Sequence, residues 1–245
     1  METLKKLGPN DKLPNFTWRL LAPSNGYDEL ILKQVEEICK NYQIDGFWFD
    51  ILQAYPNYSD SNKALMQKDG VDLKNDKQVL DYSMNQMKSF MERCNKLIHS
   101  YKPNIPIYYN GITNIKRTNN LRYNLFDFNT KQDLEDLPTT WDGYDIFPFR
   151  SKFFAADGKQ IVAMSGKFHS AWGEFGGFKH KDALLYEAAS MVAFGANVNI
   201  GDQLHPSGKM DLETYRNIGH AFDYVEKIEE YGIGGKHISN IGYYY

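Results

Sequence analysis

The sequence predicts an α/β protein built of βα units around a parallel sheet, and three observations carry the prediction. Short, nearly continuous apolar runs recur at 44–51 (IDGFWFDI), 105–110 (IPIYYN), 160–165 (QIVAMS) and 196–200 (ANVNI). Segments with helical apolar spacing lie at 28–41, 76–100, 180–194 and 211–231. The two kinds alternate, as in βα units, where a crossover helix is what lets one strand lie parallel to the next.

The first helix, 28–41, is read from Leu30, Ile31, Val35 and Ile38. Ile44 to Ile51 follows as a strand buried on both faces, which assigns Trp48 to the core. Residues 51–75 are polar, rich in Tyr, Asn, Asp and Ser, and show no period, so they are expected to be a long loop. Between 76 and 100, Leu80, Met84, Met87, Met91, Cys94 and Ile98 repeat at steps of four and three, giving the clearest helix. Its methionines are core residues. Pro103 and Pro106 bracket its end.

A further strand is expected within 124–135, followed by an aromatic, loop-rich stretch to 159. In the helix at 180–194, Leu184, Leu185, Ala188, Ala189 and Val192 should face inward. In the helix at 211–231, Asp211 is the N-cap, and Leu212, Tyr215, Ile218, Phe222 and Val225 form the inner stripe. Five βα units therefore fill residues 1–245, which read as one structural unit with no linker and no repeat. The Tyr243-Tyr244-Tyr245 end reads as a cut strand or a frayed tail.

Composition excludes some partners. The 28 basic and 31 acidic residues leave a formal charge of −3, which gives no electrostatic reason to expect nucleic acid or an anionic membrane. No apolar run approaches the roughly 20 residues that cross a bilayer. The opening METLKKLGPNDKLP lacks the apolar core of a secretory signal, so the chain as given is expected to be soluble and cytoplasmic. Cys39 and Cys94 fall on helical apolar stripes and read as buried thiols. No CxxC or HExxH occurs, so no metal or other cofactor is expected. Aromatic residues make up 15% of the chain, and such rings can stack on sugar faces.

In parallel α/β architectures, functional groups gather beyond the carboxyl ends of strands. That rule selects Asp50, Asn110, Asp133 or Glu135, Glu174 and Asp202. Asp50 is the first choice, because it closes an aromatic strand; Asp45, at the other end, is structural. Glycoside hydrolysis needs two carboxyl groups, one to protonate the leaving oxygen and one to attack the anomeric carbon or activate water. Trp172, His169 and His205 lie in loops at the same mouth and suit sugar contacts. His99, His180 and His220 sit on helices and are read as structural.

Three stretches carry a resemblance: YQIDGFWFDI (42–51), LEDLPTTWDGYDIFP (134–148), and residues 166–231, beginning GKFHSAWGEFGGFKHKDALLYEAAS. Together they resemble the α-L-fucosidase-like glycoside hydrolases, over a span from about residue 16 to the C-terminus. The resemblance implies a (β/α)8 TIM barrel, represented here by its C-terminal part. It implies a retaining exo-glycosidase with Asp50 as nucleophile and Glu135 as general acid/base, the two carboxyls about 5–5.5 Å apart. Asn110, His169, Trp172, Glu174, Asp202 and His205 would meet the substrate.

Glu174 remains the rival acid/base, as in a β-galactosidase-like enzyme, with Asp133 and Asp202 behind it. Relatives often carry a trimerisation domain downstream, so a homo-oligomer is one expectation, and a missing N-terminal half of the barrel is another. A truncated half-barrel that only binds sugar or a partner is the non-enzymatic alternative. Relatives also place a Cys-x-Cys-x-x-Cys run after the nucleophile strand. Here Asn57, Ser59 and Asn62 stand in that region, so no metal or disulfide cluster is implied.

Overall fold

The computed structural model describes residues 21–24, 26–52, 55–115, 123–141, 143–174 and 176–242. The opening segment and Tyr243 to Tyr245 lie outside the described residues. The chain divides into two compact units, Met1–Thr130 and Lys131–Tyr245. Both are mixed α/β, and in each the strands run parallel.

The first unit contains α1 (Tyr27–Asn41), β1 (Phe47–Phe49), α2 (Asp60–Lys68), α3 (Asp76–Tyr101) and β2 (Ile107–Tyr109), followed by a 3₁₀ turn at Leu125–Phe128. Strand β1 pairs with β2 in the register Phe47↔Ile107 and Phe49↔Tyr109. Side chains alternate across a strand. Phe47, Phe49, Ile107 and Tyr109 accordingly pack with Val35 and Cys39 of α1 and with the Met84, Met87, Met91, Cys94 and Ile98 row of α3. Asn75 caps α3, its side chain accepting from the Lys77 and Gln78 N–H groups. Cys39 and Cys94 are buried free thiols, as expected.

The other face of β1 carries Trp48. The residue was expected in the core but is 42% exposed, its ring 4.5 Å from that of Tyr108. A short aromatic run made all of β1 look buried, whereas on this face Tyr108 of β2 is buried and Trp48 is not.

Helix α2 lies inside the expected loop. Its buried side is Asn62 and Met66, one polar and one apolar residue, so no hydrophobic period marks it. Asn57, Ser59 and Asn62 are buried and hydrogen-bonded within the protein. Asn62 donates to the Asn57 carbonyl at 2.8 Å, Gln86 donates to Asn62 at 2.8 Å, and the Asn57 N–H donates to Ser83 Oγ at 3.1 Å.

The second unit contains β3 (Gln132–Glu135), α4 (Ile146–Ala155), β4 (Ile161–Gly166), α5 (Lys181–Ala193), β5 (Asn197–Gly201) and α6 (Leu212–Gly232). Its strands lie in the order β3-β4-β5. Leu184, Ala188 and Val192 of α5 pack against Ala221 and Val225 of α6. His180 and Asp211 cap α5 and α6, each accepting from a backbone N–H two residues on.

Helix α4 falls in the expected loop-rich stretch. It is apolar on most sides and carries Pro148 in its first turn, where a missing N–H is tolerated. The inner stripe expected for α6 is partly wrong: Leu212 is 65% and Tyr215 37% exposed, while Thr214, Ala221 and Val225 are buried. Among the described residues, no helix is long and apolar enough to cross a membrane.

Candidate active site

Asp50 stands one residue beyond β1, exposed at the carboxyl end of the strand. Its Oδ1 accepts the Asn110 side-chain amide at 2.9 Å and the Ile51 N–H at 2.9 Å. Asn110 occupies the matching position beyond β2. It donates its backbone N–H to Phe49 and accepts the Leu52 N–H, so the backbones carrying the two side chains are tied together. Asn110 Oδ1 accepts from the Gly111 N–H at 3.0 Å and from the Tyr108 hydroxyl at 3.5 Å, and that hydroxyl also lies 3.2 Å from Thr113 Oγ1. Ile51 leaves the strand with φ 54°, a left-handed conformation that costs a β-branched residue about 1–3 kcal/mol.

In the second unit, Glu135 closes β3. Trp172 Nε1 donates to Glu135 Oε1 at 2.6 Å, and the Arg150 guanidinium donates to the Glu135 carbonyl at 2.5 Å. Asp133 lies two residues earlier and so on the same side of β3. It is buried, and desolvation pushes its carboxyl up to about 7, with the nearby Glu135 charge acting in the same direction.

Behind these strand ends is a buried polar network that the sequence did not announce. Lys179 Nζ donates to Glu187 Oε2 at 2.8 Å and to Ser165 Oγ at 3.0 Å, while Ser165 donates to the same Glu187 oxygen. The Tyr144 hydroxyl reaches the other Glu187 oxygen at 3.3 Å. Glu187 sits within an otherwise apolar helix face, a polar interruption that was the available clue. Lys167, also buried, lies 4.0 Å from Asp202, whose Oδ1 accepts the Gln203 N–H at 2.7 Å.

The remaining candidates occupy loops of this unit. Glu174 lies well beyond β4 and folds back on its own loop, accepting from the Ser170 N–H at 2.6 Å and the Ser170 hydroxyl at 2.7 Å. These bonds hold its carboxyl below the ordinary glutamate value. His169 is exposed. His205 is exposed and engaged with Ser207, whose hydroxyl lies 2.9 Å from its Nδ1. The structure thus groups Asp50 with Asn110, and Glu135 with Trp172. Glu174, His205 and Asp202 each have local partners of their own. Among the described residues, no group of three or more His, Cys, Asp or Glu could hold a metal ion.

Solved structures similar to the chain include α-L-fucosidases. The α-L-fucosidase isoenzyme 2 from Paenibacillus thiaminolyticus is 35% identical, with a TM-score of 0.85 over 91% of this chain and 33% of that one. The chain therefore spans a third of that enzyme's length. Unliganded α-L-fucosidase AlfC from Lactobacillus casei is 14% identical, with a TM-score of 0.49 over 84% of this chain and 48% of that one. No protein-family model matches the chain, and no curated protein does.

Proposed function

We propose that this α-L-fucosidase-like chain is part of the catalytic domain of a retaining glycoside hydrolase that removes terminal α-L-fucose. The observation that carries the proposal is the likeness to the Paenibacillus enzyme, 35% identical along 91% of the chain. Within this reading, residues 1–245 form one partial (β/α)8-barrel domain and the substrate is a carbohydrate.

The chemistry needs two carboxyls. Asp50 attacks the anomeric carbon and forms a glycosyl ester as the bond to the leaving oxygen breaks. Glu135 gives that oxygen its proton. It then takes a proton from water, which hydrolyses the ester and regenerates Asp50. The exposure of Asp50 at a strand end and its single-sided anchoring to Asn110 support the first role. Asn110, His169, Trp172, Glu174, Asp202 and His205 are the proposed substrate-facing groups.

Glu135 is favoured over its rivals for the acid. A general acid must hold a proton near the working pH, and the Ser170 bonds work against that in Glu174. Asp133 holds its proton more readily but is only 1% exposed.

Hydrolysis of 4-nitrophenyl α-L-fucoside tests the activity, both on the 245-residue chain and on the longest natural protein that contains it. Asp50→Asn should abolish turnover. A retained rate would reject the nucleophile assignment, and turnover of β-galactosides in place of α-L-fucosides would reject the substrate class.

A further inference from the structure

We propose that Trp172 is a positioning residue for Glu135, seated in a slot kept open by Gly166 and Gly201. The proposal rests on the assignment of Glu135 as acid/base.

Gly166 and Gly201 end β4 and β5 and are cross-strand partners in register. Positive φ is not the reason for glycine at either position. The reason is the indole. A Cβ on Gly201 would lie 2.3 Å from Cη2 and 2.5 Å from Cζ3 of Trp172, well inside contact distance. A Cβ on Gly166 would meet the same ring at 3.3 Å, Leu137 at 3.2 Å and Phe168 at 3.3 Å. The benzene half of the indole therefore lies directly on the ends of two neighbouring strands. Phe168 stands edge-on to it, with ring centroids 5.5 Å apart.

With the ring held there, the indole N–H has little freedom, and it meets Glu135 Oε1 at 2.6 Å. Glutamate has three side-chain torsions, so an acid at the rim samples several positions unless something holds it. The indole nitrogen donates and never accepts. The bond from Trp172 therefore anchors the Glu135 carboxyl at Oε1. Trp172 would then help to fix where the acid sits.

The test uses the intact 245-residue chain with its four tryptophans labelled with ¹⁵N. Trp172→Phe identifies the Trp172 indole signal. The expected result is a downfield Trp172 N–H proton that moves upfield in Glu135→Ala, and moves the same way in Gly201→Ala, where Glu135 is untouched. A Trp172 signal insensitive to Glu135→Ala overturns the proposal. Should Gly201→Ala fail to fold, Trp172→Phe carries the second arm, because phenylalanine occupies the slot without a donor.

That arm compares fucosides with good and poor leaving groups. Trp172→Phe is expected to lower kcat/KM at least tenfold more for an alkyl fucoside than for the 4-nitrophenyl one, because only the former needs full proton donation. An equal loss for both means that the ring is merely structural. Absence of turnover by both the 245-residue chain and the longest natural protein that contains it would reject the fucosidase reading, while the indole signal would still decide whether Trp172 holds Glu135.

Discussion

The Asn110 side-chain amide donates to Asp50 Oδ1 across 2.9 Å, joining the residues that follow two paired parallel strands. A hydrogen bond to a charged group contributes about 1.5–3 kcal/mol. Where it holds a nucleophile in line, its loss is felt in kcat. Asn110→Ala should therefore lower kcat on 4-nitrophenyl α-L-fucoside by about 10- to 100-fold, with a smaller change in KM. Steady-state kinetics on the variant checks this, and an unchanged kcat would remove Asn110 from the account.

Asp133 predicts a pH dependence of stability. Its folded carboxyl keeps a proton up to about 7, whereas the ordinary value is 3.8. Between those values the folded state binds more protons than the unfolded state. Stability from this group is complete below the lower value and falls as pH rises toward the upper one, by up to about 1.4 kcal/mol per unit. Asp133→Asn should flatten that decline. Urea unfolding between pH 4 and 7.5 measures it, and equal slopes in both proteins would show that burial does not raise this carboxyl.

The Lys179–Glu187 pair, 2% and 3% exposed, should behave as a buried ion pair. Lys179→Met leaves a carboxylate buried without its cation, and Glu187→Leu does the reverse. Each should cost roughly 3–5 kcal/mol. The double variant should cost much less than the sum. Chemical denaturation of all four proteins gives the coupling, and strictly additive losses would show the pair to be independent.

Glu135 and Glu174 are separated by leaving-group chemistry. Glu135→Gln should lower kcat/KM for an alkyl fucoside by about 10²- to 10⁴-fold and spare kcat/KM for the 4-nitrophenyl substrate, as expected when general acid catalysis is lost, while kcat falls for both because the same residue activates water in the second step. Glu174→Gln should act equally on both substrates. The reverse pattern would transfer the acid role to Glu174.

The elements legible in the sequence are those whose buried face is apolar and regular. Helix α3 shows its period through Met84, Met87, Met91, Cys94 and Ile98, and all five are buried. Helices α2 and α4 were missed because their buried rows include Asn62 in one and Arg150 and Ser151 in the other. Leu212 and Tyr215 looked like core at the start of α6, but both are exposed and the polar Thr214 is the buried residue of that turn.

The same reasoning applies to the site. Asp50 and Asn110 could be selected because each ends a recognisable strand. The bond from Trp172 to Glu135 joins residues 37 apart in sequence, and the glycines that admit the indole lie on two different strands. No spacing rule reaches that far. It follows from pairing register, which only the folded chain displays.

The most direct measurement is covalent trapping of the nucleophile. A 2-deoxy-2-fluoro-α-L-fucosyl donor with a reactive leaving group slows hydrolysis of the ester intermediate, so peptide mass spectrometry can locate the sugar. The account predicts one fucosyl adduct, on the peptide that contains Asp50, and none in Asp50→Asn. An adduct on any other carboxylate, or turnover that inverts the anomeric centre with no adduct formed, would contradict it.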